Sequence, residues 1–120
     1  MLEAGSRKRG QPAPPRVVFE ALTEPDRDRG RPWLNLRDGE QRARVVEAQE
    51  PALVVWSSLW TERPDALVRF ELPPDRTGQG TDLRWTLFLD DPMPDPGLLG
   101  HLRKRVNQLI NADLRYSFGQ

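Results

Sequence analysis

A chain of 120 residues with 18 basic and 18 acidic side chains has no net field to gather nucleic acid or to insert at an anionic membrane. It has no cysteine, which excludes disulfides, thiolate nucleophiles and thiolate metal ligands. With 37 % hydrophobic residues, four Trp and four Phe, it can fill one core and hardly two, so residues 1–120 are expected to form one domain. No apolar run is long enough to span a bilayer, and MLEAGSRKRGQPAPP lacks the apolar stretch of a secretory signal, which makes a cytoplasmic protein the expectation.

Residues 1–9 alternate weakly and fit either a short edge strand or a mobile terminus. The run PPRVVFEALT opens on prolines suited to a first helical turn and then places Val18, Phe19 and Leu22 on one face. A short helix follows, ending before Pro25. EPDRDRGRPW has room for a further helical turn before Gly30 and Pro32 interrupt it. Strand signals then dominate: WLNL (33–36), RARVVEA (42–48), ALVVWSSLW (52–60), ALVRFEL (66–72) and TDLRWTLFL (81–89) are rich in branched and aromatic residues. The connectors RDGE, QEP, TERPD and PPDRTGQG are short and turn-forming, so consecutive strands must be antiparallel neighbours.

Near the end, Asp95 and Pro96 form a cap and first turn, and Leu98, Leu99, Leu102, Val106, Leu109, Ile110 and Leu114 recur three and four residues apart. This predicts an amphipathic helix of about five turns at roughly 3.6 residues each, with Arg103, Lys104, Arg105, Asn107, Gln108 and Asn111 on its water side. An antiparallel sheet needs a cover for its apolar face, and a long helix supplies one. Leu83, Trp85, Leu87 and Leu89 share one face of their strand, as do Val68, Phe70 and Leu72 of theirs. In LVVWSSLW, Val54, Trp56, Ser58 and Trp60 are assigned inward, although a slip of one residue would exchange the faces. The outward set, Leu53, Val55 and Leu59 with Phe88 and Leu67, then forms an apolar strip on the convex side. A homodimer using that face or an edge strand is expected.

The succession PPRVVFEALTEPDR, Trp33, RARVVEAQEPALVVWSSLW, GTDLRWTL and a long C-terminal helix resembles the SRPBCC superfamily of START-like, birch-pollen-allergen-like and polyketide cyclase/dehydrase proteins, over about Pro14 to Tyr116. The resemblance implies an α+β helix-grip fold, a curved antiparallel sheet wrapped around the C-terminal helix with one or two short N-terminal helices. It also implies an apolar cavity: members bind lipids, sterols, polyketides or plant hormones, some are enzymes and others assist chaperones. The chain departs from the pattern in its shortness, weak first strand and tight loops, which leave less room for a cavity.

The candidate cavity wall is Trp56, Trp60, Phe70, Trp85 and Leu87 from the sheet with Leu102, Val106, Leu109 and Ile110 from the helix. The same residues also fit a plainly packed core. His101, the only histidine, stands at the start of the long helix, where it would be a base at the cavity mouth or an exposed residue beside Arg103 and Lys104. Ser57 and Ser58 have no base and no nucleophile elbow around them. Asp90, Asp91 and Asp95 fit a turn and a helix cap better than a cation site, and TGQG (77–80) lacks the Lys and Ser/Thr of a phosphate loop. Arg7, Lys8 and Arg9 read as a solvated edge. No catalytic residue, metal or cofactor is implied. The expected function is therefore binding of a small hydrophobic or aromatic molecule; the alternatives are a cyclase or dehydratase using the same cavity and a non-catalytic interaction module.

Overall fold

Prolines and turn residues punctuate the chain into β1 (Leu2–Gln11), α1 (Pro15–Thr23), β2 (Val45–Gln49), β3 (Leu53–Trp56), β4 (Leu67–Glu71), β5 (Thr81–Leu89) and α2 (Pro96–Gln108). A π-helical segment, Leu109–Leu114, and a closing turn, α3 (Arg115–Ser117), complete the C-terminal helix. This computed structural model describes residues 1–27 and 32–119. The five strands form one antiparallel sheet in the order β1-β5-β4-β3-β2. β2 to β5 are thus the meander required by their short connectors, and β1 returns to pair with β5.

The inward phase holds through the centre of the sheet. Val54 and Trp56, Val68 and Phe70, and Leu83, Trp85, Leu87 and Leu89 are buried in one cluster with Leu102, Val106, Leu109, Ile110 and Leu114 of the helix. The architecture is α+β helix-grip: a curved sheet closed by the C-terminal helix, with one short helix before it. None of the described helices is long and apolar enough to cross a membrane.

Residues Leu2–Gln11 settle as a full edge strand. Ala4 joins the core, while Arg9 and Gln11 take inward positions as polar residues because they meet the flank of the C-terminal helix. Arg9 Nε donates to Asn107 Oδ1 (2.9 Å), Gln11 Nε2 to the Ile110 carbonyl (3.1 Å), and Arg103 Nε to the Ala4 carbonyl. Glycine at position 5 fits this approach, since a Cβ there would stand 2.9 Å from the Arg103 side chain.

α1 ends as expected before Pro25, and its last-turn carbonyls find unusual partners: Trp33 Nε1 donates to Ala21 O (3.1 Å) and Trp56 Nε1 to Leu22 O (2.9 Å). Residues 32–37 are irregular, so WLNL is not the strand its pattern predicts; tethering of Trp33 to α1 and burial of Leu34 replace a ladder. Pro25 to Arg27 form a turn and bend, and the rest of the helical turn expected in 24–33 falls largely on residues 28–31, outside the described residues.

Three more expectations are corrected. β3 stops at Trp56, and the chain bends so that Leu59, of outward parity, is buried in the core beside Trp60. The convex face carries no continuous apolar strip: the Arg69 guanidinium lies 4.9 Å from the Phe88 ring centroid, and Thr86 shares a hydrogen bond with Ser6. Arg105, placed in water by helical periodicity, is buried, because residues 35–40 pack on that side of α2 and pair with it.

Candidate functional site

The nine candidate residues are all buried in the same cluster, which the sheet and helix build from both sides. Trp56 stacks on Trp33 (centroids 6.1 Å apart) and meets Phe70 edge-on (4.9 Å), and the N–H groups of Trp33 and Trp56 are spent on α1. Trp60 and Trp85 differ. They are 4 % and 1 % exposed, and among the described residues neither indole N–H has an acceptor. A buried donor without an acceptor costs roughly 1–3 kcal/mol, and Gln11 Oε1 and Arg69 Nε are likewise without a protein partner among the described residues.

Trp60 forms part of a pocket of about 300 Å³ at the start of α2, between residues 37–40 and 60–63. Leu98 and Leu102 extend its apolar wall, while Arg37, Glu62 and His101 are polar and exposed. The local chain shape explains how these residues meet. The turn Arg37–Glu40 closes with Glu40 N donating to Arg37 O (3.0 Å), and Gly39 takes φ +80°, a region that favours glycine. On the other side, Ser58 Oγ accepts from Trp60 N (2.9 Å) and donates to Arg63 O (2.7 Å), folding the chain after β3.

Two guanidinium groups at or beside this site, Arg63 and Arg105, are committed to carboxylates, whereas Arg37 has only a neutral amide partner among the described residues. Arg105 donates from Nε to Glu40 Oε2 (2.7 Å) and from Nη2 to Glu40 Oε1 (2.9 Å) and Asn35 O (2.8 Å). Burial would raise the Glu40 carboxyl's pKa, but the Arg105 hydrogen bonds, the Arg37 N–H and the two guanidinium charges outweigh it and hold the carboxyl below its ordinary range. Arg63 is bidentate on Asp65 and also donates to Pro92 O and Asp90 O, and Arg37 donates to Gln108 Oε1 (2.7 Å). The pocket therefore combines an apolar wall, a buried indole whose N–H lacks an acceptor among the described residues, a paired Arg63 and an exposed Arg37.

Of the sequence candidates, Trp60 and Leu102 line this pocket and Trp56 lines another, of about 390 Å³, between the end of α1 and residues 42–45. Phe70, Trp85, Leu87, Val106, Leu109 and Ile110 line none of the five pockets described. The largest, about 620 Å³, lies between α1 and the C-terminal turn and includes Trp33, Tyr116 and Phe118. His101 does stand at a pocket rim. Ser57 Oγ accepts from Arg44 N (2.7 Å) and Asp95 caps α2 at Leu98 N (3.0 Å), which are structural roles. Among the described residues no group of three or more His, Cys, Asp or Glu is placed to hold a metal ion. Arg37, Glu40 and Leu98 were not foreseen; Glu40 bridges to Trp60 across 20 positions, a contact no local pattern announces.

No family model matches the sequence, and no curated protein matches it. Solved structures do resemble it in shape. CalU16 from Micromonospora echinospora is 19 % identical with a TM-score of 0.68, over 95 % of this chain and 73 % of that one. A protein from Nitrosospira multiformis is 13 % identical with a TM-score of 0.70, over 97 % and 96 %. The Aha1 dimer from Colwellia psychrerythraea is 16 % identical with a TM-score of 0.64, over 92 % and 91 %. At these identities the likeness is one of fold, and it agrees with the helix-grip architecture of sheet and C-terminal helix.

Proposed function

We propose that the chain is a short, single-domain member of the SRPBCC superfamily that binds a small, largely apolar molecule carrying a hydrogen-bond acceptor, where Trp60 meets the start of α2. The observation that carries this reading is that Trp60, whose buried N–H has no partner among the described residues, lines an apolar-walled pocket in which Arg63 is already paired with Asp65. Such a site favours a neutral carbonyl or hydroxyl oxygen on an apolar body over a strongly anionic ligand. The deeper candidates, Trp85 with Phe70, Leu87, Val106, Leu109 and Ile110, would form the packed floor behind it. Binding without catalysis is the preferred form, because His101 and the carboxylates that share this pocket are joined by no hydrogen bond among the described residues.

The test uses 2-acetylnaphthalene and 2-ethylnaphthalene, which share an apolar body and differ in the acceptor. Indole N–H resonances of the four tryptophans are followed on titration. The ketone is expected to move the Trp60 signal and to bind about tenfold more tightly than the hydrocarbon, equivalent to roughly 1.4 kcal/mol for one hydrogen bond. Trp60→Phe should erase that preference. Equal binding of both compounds, or a preference that survives in Trp60→Phe, refutes the assignment. Native mass spectrometry of protein purified from cells would separately identify a passenger.

A second reading, self-association, is favoured by the exposed strand β2 at one margin of the sheet, and the Colwellia psychrerythraea neighbour is itself a dimer.

A further inference from the structure

We infer that two copies of the chain join through β2, antiparallel, so that their sheets continue into one another. This makes the self-association reading specific and is independent of ligand binding at Trp60.

β2 is a sheet margin, paired among the described residues with β3 alone. All five of its residues are exposed, with Val45 at 40 % and Val46 at 47 %. A margin of this kind presents unpaired backbone N–H and C=O groups, and branched side chains make it a good template for another strand.

Charge identifies the occupant. Arg44 precedes the strand, while Glu47 lies within it and Glu50 follows. Antiparallel pairing of two identical copies about Glu47 sets Arg44 of each against Glu50 of the other and Glu47 against itself, two attractive contacts against one repulsive, whereas parallel pairing stacks all three like on like. The opposite margin behaves in the contrary way: in β1, self-pairing about Lys8 would oppose Arg7 to Arg9 and Lys8 to itself. The convex face is a poor rival, since Arg69 covers Phe88 and the neighbouring row carries Thr86 and Ser6. The register irregularity at Val46 shortens the ladder that can form, so the complex should be weak and concentration-dependent.

Sedimentation equilibrium of the whole chain, alone and as charge variants, tests the inference. The natural chain is expected to dimerise, and more weakly at high salt. Arg44→Glu and Glu50→Arg should each weaken self-association about tenfold while leaving the thermal melt of the dilute, monomeric protein unchanged. An equimolar mixture of the two should recover dimers, because opposite charges then meet at both ends. A natural chain that stays monomeric at millimolar concentration overturns the inference. Dimers indifferent to both variants do so too, and would locate the contact elsewhere. If the charge variants unfold, Val46→Thr, which keeps the branched shape and removes apolar surface, should still weaken the dimer severalfold, and no change there also counts against it. Trp60→Phe should leave association untouched, so that failure of the ligand site and failure of this interface remain separable.

Discussion

Arg105 and Glu40 form an ion pair whose side chains are 2 % and 4 % exposed, joined at 2.7 and 2.9 Å. Neither charge is tolerable there alone. Removing one partner of a buried pair typically costs about 3–5 kcal/mol, because the other is left without water or counter-charge. Arg105→Ala is therefore expected to lower unfolding free energy by about that amount, measured by urea denaturation. The effect should also loosen residues 35–40, since Asn35 O loses its donor at the same time. The pH dependence has a definite sign. Glu40 has a folded-state pKa below its unfolded value, so its contribution is complete above the unfolded value of about 4.3 and vanishes as pH falls through the lower folded value. Asp65 acts in the same direction, held low by Arg63. In a series of urea midpoints from neutral to acidic pH, Glu40→Gln should be less stable at neutral pH and show a shallower acid decline. An unchanged decline would mean that other carboxylates carry it.

The bend after β3 depends on one hydroxyl, and it decides where Trp60 lies. Ser58 is buried, and its Oγ serves both Trp60 N and Arg63 O. Ser58→Ala would strand both groups in a dry environment, at a cost of roughly 1–3 kcal/mol. Its distinctive signature is a displaced Trp60 indole resonance with the other three tryptophans unmoved; a uniform shift of all four would point to general loosening. Period-two alternation through LVVWSSLW captures Val54 and Trp56 correctly but has no term for a serine that turns the backbone, which is why Leu59 escapes its assigned side. The same limit applies to α2. Asp95, Pro96 and the apolar spacing announce the helix, whereas Arg105 becomes buried through residues 35–40, distant in sequence. Local chemistry was legible; a covering partner some 65 positions away was not.

At the scale of the whole chain, the four-stranded meander β2 to β5 and the C-terminal helix could be derived from strand spacing, short connectors and one apolar stripe, because each of these elements had a single place to bury its surface. β1 was the weak point, since an edge strand facing a helix flank uses Arg9 and Gln11 where alternation expects apolar residues. The site was only half legible: aromatic content located Trp60 and Trp85, but composition cannot say which indole N–H groups are spent on α1 and which are left over. That distinction yields a last prediction. Trp85 is 1 % exposed, so Trp85→Ala should cost about 3–5 kcal/mol through lost burial and the void that remains. Trp85→Phe deletes an N–H that has no acceptor among the described residues, so part of its packing loss is offset and its cost should be well under half that of Trp85→Ala. Thermal and urea unfolding of both variants would measure the gap. A gap near zero would count against an unsatisfied Trp85 N–H, since its removal would then bring no offset to the packing loss.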